Sequence, residues 1–148
     1  MPLRDLILQA VEVLRDTELR FILVGGAATL WLGSERSTTD VDILIDSGIS
    51  LIPTVSKTDK LVIEGSEMWY KPGGIFNVKI DVQRNIVEEN YQTLDPNTVE
   101  VNGVKVLTPE YALALRVFCF HRRGEGYHYD LKRYSDIIER IFSFTATE

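Results

Sequence analysis

The stretch from Phe21 to Asp46, FILVGGAATLWLGSERSTTDVDILID, decides the fold of this chain. An apolar strand ends there in two glycines, and a second apolar strand follows with two aspartates one residue apart. Because successive side chains of a strand point to opposite faces, Asp40 and Asp42 project from one face and Val41 projects from the other. The spacing therefore predicts two carboxylates that converge on one point.

Paired carboxylates of this kind favour a divalent cation. Two like charges at close range raise one pKa unless a cation lies between them, and hard oxygen ligands select Mg²⁺ or Mn²⁺ over Zn²⁺. Upstream, Phe21–Val24 is predicted to be a buried strand. Gly25 and Gly26 then let the chain turn into a helix expected over residues 27–32. A helix N-terminus beside bare glycine backbone lets a phosphate approach closely, so the segment is typical of a metal and nucleotide site.

The same residues resemble the signature of the nucleotidyltransferase superfamily related to DNA polymerase beta. Val24-Gly25-Gly26 is followed, after a gap of 13 residues, by Asp40-Val41-Asp42-Ile43. These two segments match the hydrophobic-Gly-Gly and Asp-hydrophobic-Asp-hydrophobic halves of that signature. Within the gap, RSTTD at residues 36–40 resembles the Arg-x-Thr-x-Asp variant of the minimal and abortive-infection toxin branches. The resemblance implies an α+β fold, a nucleotidyltransferase-like mixed β-sheet flanked by α-helices.

A third carboxylate is predicted at Asp81. Polar and apolar residues alternate along a strand expected over residues 75–82, so Val78, Ile80 and Val82 face the core and Asp81 faces outward with Lys79 and Gln83. The resemblance implies that Asp81 completes a triad with Asp40 and Asp42, either by binding the catalytic metal or by accepting the proton of the attacking hydroxyl. The alternative interpretation is a solvated strand face.

The resemblance also implies the residues that bind the nucleotide. Gly25 and Gly26 would cradle phosphates, and Arg36 and Thr38 would line the triphosphate. Lys132 begins a stretch, KRYSDI, that resembles the closing segment of toxin-type members, in which the lysine reaches the nucleotide. An ordinary surface charge is the alternative interpretation of Arg36 and of Lys132.

A basic cluster near the C-terminus stands out in an acidic chain. Its members lie between Arg122 and Arg133: Arg122, Arg123, Lys132 and Arg133. Such a cluster could meet the triphosphate or the phosphates of an acceptor, and the sequence leaves its role open.

Composition narrows the class of protein. The 148 residues are 45% hydrophobic, as expected for a single domain over residues 1–148. A formal net charge of −6 argues against a general nucleic-acid-binding surface, which relies on neutralising phosphates.

The single cysteine, Cys119, is expected to be a core thiol, and no secretory signal or membrane-spanning run is recognisable. The expected location is cytoplasmic, away from membranes.

Further elements follow from periodicity and turn chemistry. An amphipathic helix is expected from Leu3 to Leu14, and Trp31 is expected to be buried under the sheet. Strands are expected over residues 61–63 and 68–70, and a hairpin over 99–107 with Asn102-Gly103 as its turn. Thr108 should cap a helix continuing over 111–120, and a last helix is expected over 131–142.

These features predict a metal-dependent enzyme that transfers a nucleoside monophosphate from an NTP, ATP among them, to a hydroxyl acceptor and releases pyrophosphate. Mg²⁺ or Mn²⁺ would be held by Asp40, Asp42 and Asp81. The acceptor is left open among RNA such as the 3′ end of tRNA, a protein and a small molecule, as is a cognate antitoxin or regulatory partner. The alternative is a catalytically inactive protein of the same fold that binds a nucleotide or a partner.

Overall fold

A computed structural model describes residues 2–34, 38–86, 89–108 and 110–112 of the chain. The architecture is α+β, as expected from the sequence, with one seven-stranded sheet. The helices within these residues are α1 (Leu3–Asp16), α2 (Gly25–Trp31), α3 (Ile52–Val55) and α4 (Tyr91–Leu94), the last continuing into a 3₁₀ turn at Asp95–Asn97. The strands are β1 (Ile22–Val24), β2 (Asp40–Leu44), β3 (Leu61–Glu64), β4 (Glu67–Tyr70), β5 (Val78–Gln83), β6 (Thr98–Val101) and β7 (Val104–Leu107).

The sheet is mixed, with the strand order β3-β4-β5-β2-β1-β7-β6. Strand β2 runs parallel to β5 and antiparallel to β1, and β1 runs parallel to β7. The pairs β3–β4, β4–β5 and β6–β7 are antiparallel. The two strands with predicted aspartates, β2 and β5, are therefore direct neighbours in the middle of the sheet.

One face of the sheet, here called the helix face, packs against α1 and α2. Helix α1 buries the apolar stripe predicted from its spacing, formed by Leu6, Ile7, Ala10, Val11 and Leu14. Val41 and Ile43 of β2 and Ile80 of β5 join this main core and are at most 1% exposed. Alternation along β2 and β5 thus sends these apolar side chains to the helix face and the aspartates to the other face.

The opposite face, here called the aspartate face, has its own smaller core. It consists of Ile22, Val24, Leu44, Tyr91, Leu94, Leu107 and Ala112, so it lies over β1, β7 and the end of β2. Helix α4 is positioned there by a capping box, in which Asn90 Oδ1 accepts from the Thr93 N–H and Thr93 Oγ1 accepts from the Asn90 N–H, both at 3.0 Å. This core borders the aspartates, since Val24 is the register partner of Asp42.

The structure differs from the sequence-based expectations at the starts of two elements and in the burial of one side chain. Helix α2 begins at Gly25 rather than at residue 27, and β5 begins at Val78 rather than at residue 75. Ile75 and Phe76, 92% and 64% exposed, belong to the loop before β5, because the preceding Pro-Gly-Gly turn delays strand pairing. Trp31 is half-buried instead of buried, and its indole N–H donates to the Val101 carbonyl at 2.7 Å.

The β6–β7 hairpin was predicted correctly. Asn102 and Gly103 both have positive φ, 49° and 79°, as a two-residue type I′ turn requires. Thr108 Oγ1 accepts from the Tyr111 N–H at 3.4 Å, consistent with its predicted role as a helix cap. The helix expected over residues 111–120 is described only as far as residue 112. Its remaining residues, with Cys119, and the helix expected over 131–142 lie outside the described residues. Within the described part of the chain, no helix has the length and apolar character to cross a membrane.

Candidate active site

Asp42 and Asp81 are register partners at the centre of the sheet. In the parallel pairing of β2 with β5, Asp42 lies opposite Asp81 and Asp40 lies opposite Lys79. Paired residues of adjacent strands have side chains on the same face, and strands lie roughly 5 Å apart. All three predicted aspartates therefore share the aspartate face, and each is partly exposed.

The glycine turn touches the first of these aspartates. Val24, the last residue of β1, is the register partner of Asp42, so α2 starts directly beside the Asp42 side chain. Gly25 has a φ of +68°, and a β-carbon at that position would lie 2.6 Å from Asp42 Oδ2. Gly25 is thus required both by its backbone conformation and by the room that the Asp42 carboxylate takes.

A lysine that sequence reasoning passed over lies among the carboxylates. Lys79 Nζ is 3.3 Å from Asp81 Oδ1 and 3.5 Å from Oε1 of Glu67, on the neighbouring strand β4. The pKa of Lys79 is raised above its ordinary value, first by the hydrogen bond to Asp81 and then by the negative charges of Asp81 and Glu67. The side chain is therefore an ammonium at neutral pH. Its position two residues from Asp81 on the same strand face was the signal that could have revealed this ion pair.

The predicted nucleotide-binding residues fall into two groups. Gly25, Gly26 and Thr38 are described, and Thr38 Oγ1 donates to the carbonyl of Asp40 at a long 3.4 Å. Arg36 and Lys132 lie outside the described residues. The same holds for the rest of the basic cluster between residues 122 and 133.

The donor chemistry at these aspartates fits a hard divalent cation, because the three side chains are partly exposed carboxylates on one face. Among the described residues, the side chains as positioned form no group of three or more His, Cys, Asp or Glu ready to hold a metal ion. Asp81 is instead engaged by Lys79. A metal at this site is therefore inferred from the residue types and the strand register, not from a preformed set of ligands.

A cavity of about 150 Å³ lies elsewhere, at the start of β1. Its walls include Arg20, Tyr91, Glu100 and Lys105. Arg20 Cζ and Lys105 Nζ lie 5.6 and 5.7 Å from the centroid of the Tyr91 ring, so two cations share one aromatic side chain. The cavity contains none of the predicted site residues, whereas the aspartate face brings Asp40, Asp42 and Asp81 together and is the better candidate.

Comparison with known proteins supports the fold. No protein-family model matches the sequence, and no curated protein matches it either. The structure is similar to the crystal structure of an antigenic nucleotidyltransferase-like protein from Paracoccidioides brasiliensis, with a TM-score of 0.61. The alignment covers 93% of this chain and 75% of that chain at 20% sequence identity. The fold is therefore nucleotidyltransferase-like.

Proposed function

We propose that this protein is a metal-dependent nucleotidyltransferase, which transfers a nucleoside monophosphate from an NTP to a hydroxyl group and releases pyrophosphate. One observation carries the proposal: the parallel pairing of β2 with β5 sets Asp42 beside Asp81, with Asp40 on the same face. The nucleotidyltransferase-like fold is consistent with it. Carboxylates on adjacent central strands repel each other, which opposes folding. Such an arrangement is therefore typical of a functional site.

In this proposal, Asp40, Asp42 and Asp81 hold Mg²⁺ or Mn²⁺. The bound cation would offset the negative charge that develops on the phosphoryl oxygens and on the leaving pyrophosphate. The Asp81 carboxylate accepts the proton of the attacking hydroxyl. The acceptor oxygen then forms a bond to the α-phosphorus as the bond from that phosphorus to the bridging oxygen breaks, and pyrophosphate leaves with the electron pair.

The glycine turn has two tasks in this proposal. At Gly25, the missing side chain leaves room for the Asp42 carboxylate. At Gly26, bare backbone lets phosphate oxygens approach the chain. The triphosphate is proposed to bind Thr38, Arg36 and Lys132. The positive side chains of Arg36 and Lys132 would neutralise the charge that collects on its oxygens.

Label transfer tests the proposal directly. The full-length protein is incubated with each α-labelled NTP, Mg²⁺ and a crude cell extract, and label is then sought in RNA, protein and small molecules. Asp42→Asn and Asp81→Asn should each lower transfer by roughly a hundredfold or more, the scale of losing a transition-state contact. Asp59→Asn, which removes the same charge from an exposed loop residue, should leave transfer unchanged. Full transfer by Asp81→Asn would refute the assignment.

A second candidate is a catalytically inactive protein of this fold that binds a nucleotide or a partner. The ion pair between Lys79 and Asp81 favours it, because the ammonium already supplies Asp81 with a positive charge. Calorimetry with each NTP and Mg²⁺ separates the two candidates. Binding followed by release of pyrophosphate supports the enzyme, whereas binding without release supports the inactive protein.

A further inference from the structure

Lys79 joins two acidic side chains from adjacent strands. Its ammonium is 3.3 Å from Asp81 on its own strand, β5, and 3.5 Å from Glu67 on β4. The side chains of Lys79 and Asp81 are 35% and 34% exposed. The ion pair therefore lies at the surface of the aspartate face, where solvent and ions can reach it.

The order of strands in the sheet sets the side of Asp81 on which each of its partners lies. Strand β5 lies between β4 and β2, so Glu67 and Asp42 are on opposite sides of Asp81. An ammonium held by both Glu67 and Asp81 attracts the Asp81 carboxylate towards β4. A cation shared by Asp81 and Asp42 would attract the same carboxylate towards β2. The Asp81 carboxylate cannot lie towards β4 and towards β2 at the same time.

We propose that Lys79 is a positioning residue for Asp81 that competes with the divalent cation, so that loading the site exchanges the ammonium for the metal. The inference rests on the proposed function, in which Asp81 is a metal ligand. Before loading, the ammonium offsets the repulsion between the carboxylates of the aspartate face. After loading, it is released from Asp81, and Glu67 remains as its partner.

The test measures Mn²⁺ binding by the free full-length protein, using the electron paramagnetic resonance signal of unbound Mn²⁺. Replacing Lys79 with methionine keeps the chain length and removes the charge. Lys79→Met should bind Mn²⁺ about two- to fivefold more tightly, the scale of one exposed ion pair. Lys79→Arg keeps the charge, so its affinity should stay within about twofold of the wild type.

Lys71 provides a matched control. It also forms an ion pair with a glutamate, Glu64, and its side chain is 36% exposed. Lys71→Met removes the same charge from an equally exposed lysine, whose ion pair does not involve the aspartates. It should leave Mn²⁺ affinity unchanged, whereas Lys79→Met should increase it.

The outcomes separate this inference from the proposed function. If Lys79→Met lowers only the melting temperature, as Lys71→Met does, with unchanged Mn²⁺ affinity, Lys79 is merely structural and the inference fails. If the wild type binds Mn²⁺ and Asp81→Asn weakens that binding, the proposed metal site stands whatever Lys79 does. If Asp81→Asn binds Mn²⁺ as the wild type does, or neither binds it, both proposals fall.

Discussion

Gly25 and Asp42 lie so close together that a β-carbon at Gly25 would be 2.6 Å from Asp42 Oδ2. The contact joins the start of α2 to the strand that carries two of the candidate aspartates. The atom in the way is the end of a side chain rather than backbone, so Asp42 can rotate to relieve the clash. A side chain at Gly25 should therefore disturb the site more than the fold.

Gly25→Ala should separate these two effects when it is compared with Gly65→Ala. The two glycines have nearly equal φ values, +68° and +63°, but a β-carbon at Gly65 would meet nothing within 4 Å. Both variants should lose about 1–2 kcal/mol of unfolding free energy, because alanine is strained in this backbone conformation. The loss is measured by urea denaturation.

Nucleotide transfer should distinguish the same two variants. Gly25→Ala displaces the Asp42 carboxylate and should lower transfer by about tenfold or more, as misplacement of a catalytic group does. Gly65→Ala should transfer nucleotide at the wild-type rate. Equal activity in the two variants would show that the contact between Gly25 and Asp42 has no part in the reaction.

Arg84 should be important for the stability of the loop after β2. Its guanidinium donates to three backbone carbonyls, those of Asp46 at 2.8 Å, Ser47 at 3.0 Å and Ile49 at 2.9 Å. Arg84→Met should lower the unfolding free energy by about 2–3 kcal/mol, because charge-assisted hydrogen bonds to three backbone carbonyls are lost, two of them partly buried. Chemical denaturation measures this loss.

The control for Arg84 is Arg4, an exposed arginine on α1. Arg4→Met should change the unfolding free energy by less than about 0.5 kcal/mol, as is usual at the surface. Arg84→Lys should recover only part of the loss, because one ammonium cannot reproduce the planar fork of donors. Similar stabilities of Arg4→Met and Arg84→Met would mean that Arg84 is not a structural anchor.

The contribution of Lys105 to stability should depend on pH. Its hydrogen bond to Asp95, at 2.8 Å, raises its pKa above the ordinary 10.5, against the lowering effect of partial burial. Since the folded pKa is higher than the unfolded one, the stabilisation is fully present below pH 10.5 and is lost as the pH rises through the folded pKa.

Urea denaturation of the wild type and Lys105→Met at a series of pH values measures this effect. The pair is about one-third exposed, so the wild type should be more stable by only about 0.5 kcal/mol at pH 8. The difference should shrink above pH 10.5, where the ammonium loses its proton. A difference that grows with pH would contradict the assigned direction of the pKa shift.

Trp31 should stabilise the attachment of α2 to β6. Trp31→Phe keeps an aromatic ring but removes the indole N–H that donates to the Val101 carbonyl. The expected loss is about 1 kcal/mol of unfolding free energy, the usual net value of one hydrogen bond, measured by denaturation. Unchanged stability would indicate that water replaces the indole at the Val101 carbonyl.

Local patterns predicted several features of the site without reference to the rest of the chain. Alternation along residues 78–83 assigned Ile80 to the core and Asp81 to the opposite face, and the Asp-x-Asp spacing did the same for Asp40 and Asp42. Both assignments depend on the two-residue repeat of a strand, which is a property of the backbone. The Asn102-Gly103 turn was also predictable from local sequence, because Asn and Gly tolerate the positive φ that a two-residue hairpin turn requires.

Boundaries were less predictable, because they depend on contacts with distant residues. The Pro-Gly-Gly turn before Ile75 weakens strand pairing, yet only the pairing of Val78 with Tyr70 defines where β5 begins. Trp31 is apolar enough to suggest full burial, but its indole N–H requires a hydrogen-bond acceptor. The tertiary structure supplies that acceptor 70 residues away in β6.

The sequence by itself determined which side chains each strand presents to each face, because side-chain alternation is local. Only the tertiary structure decided which strands are neighbours. The parallel pairing that sets Asp42 beside Asp81 joins segments 39 residues apart, and no local period encodes such a pairing. Strand order also decides two contacts between different elements. Gly25 at the start of α2 meets Asp42 of β2, and Lys79 of β5 meets Glu67 of β4.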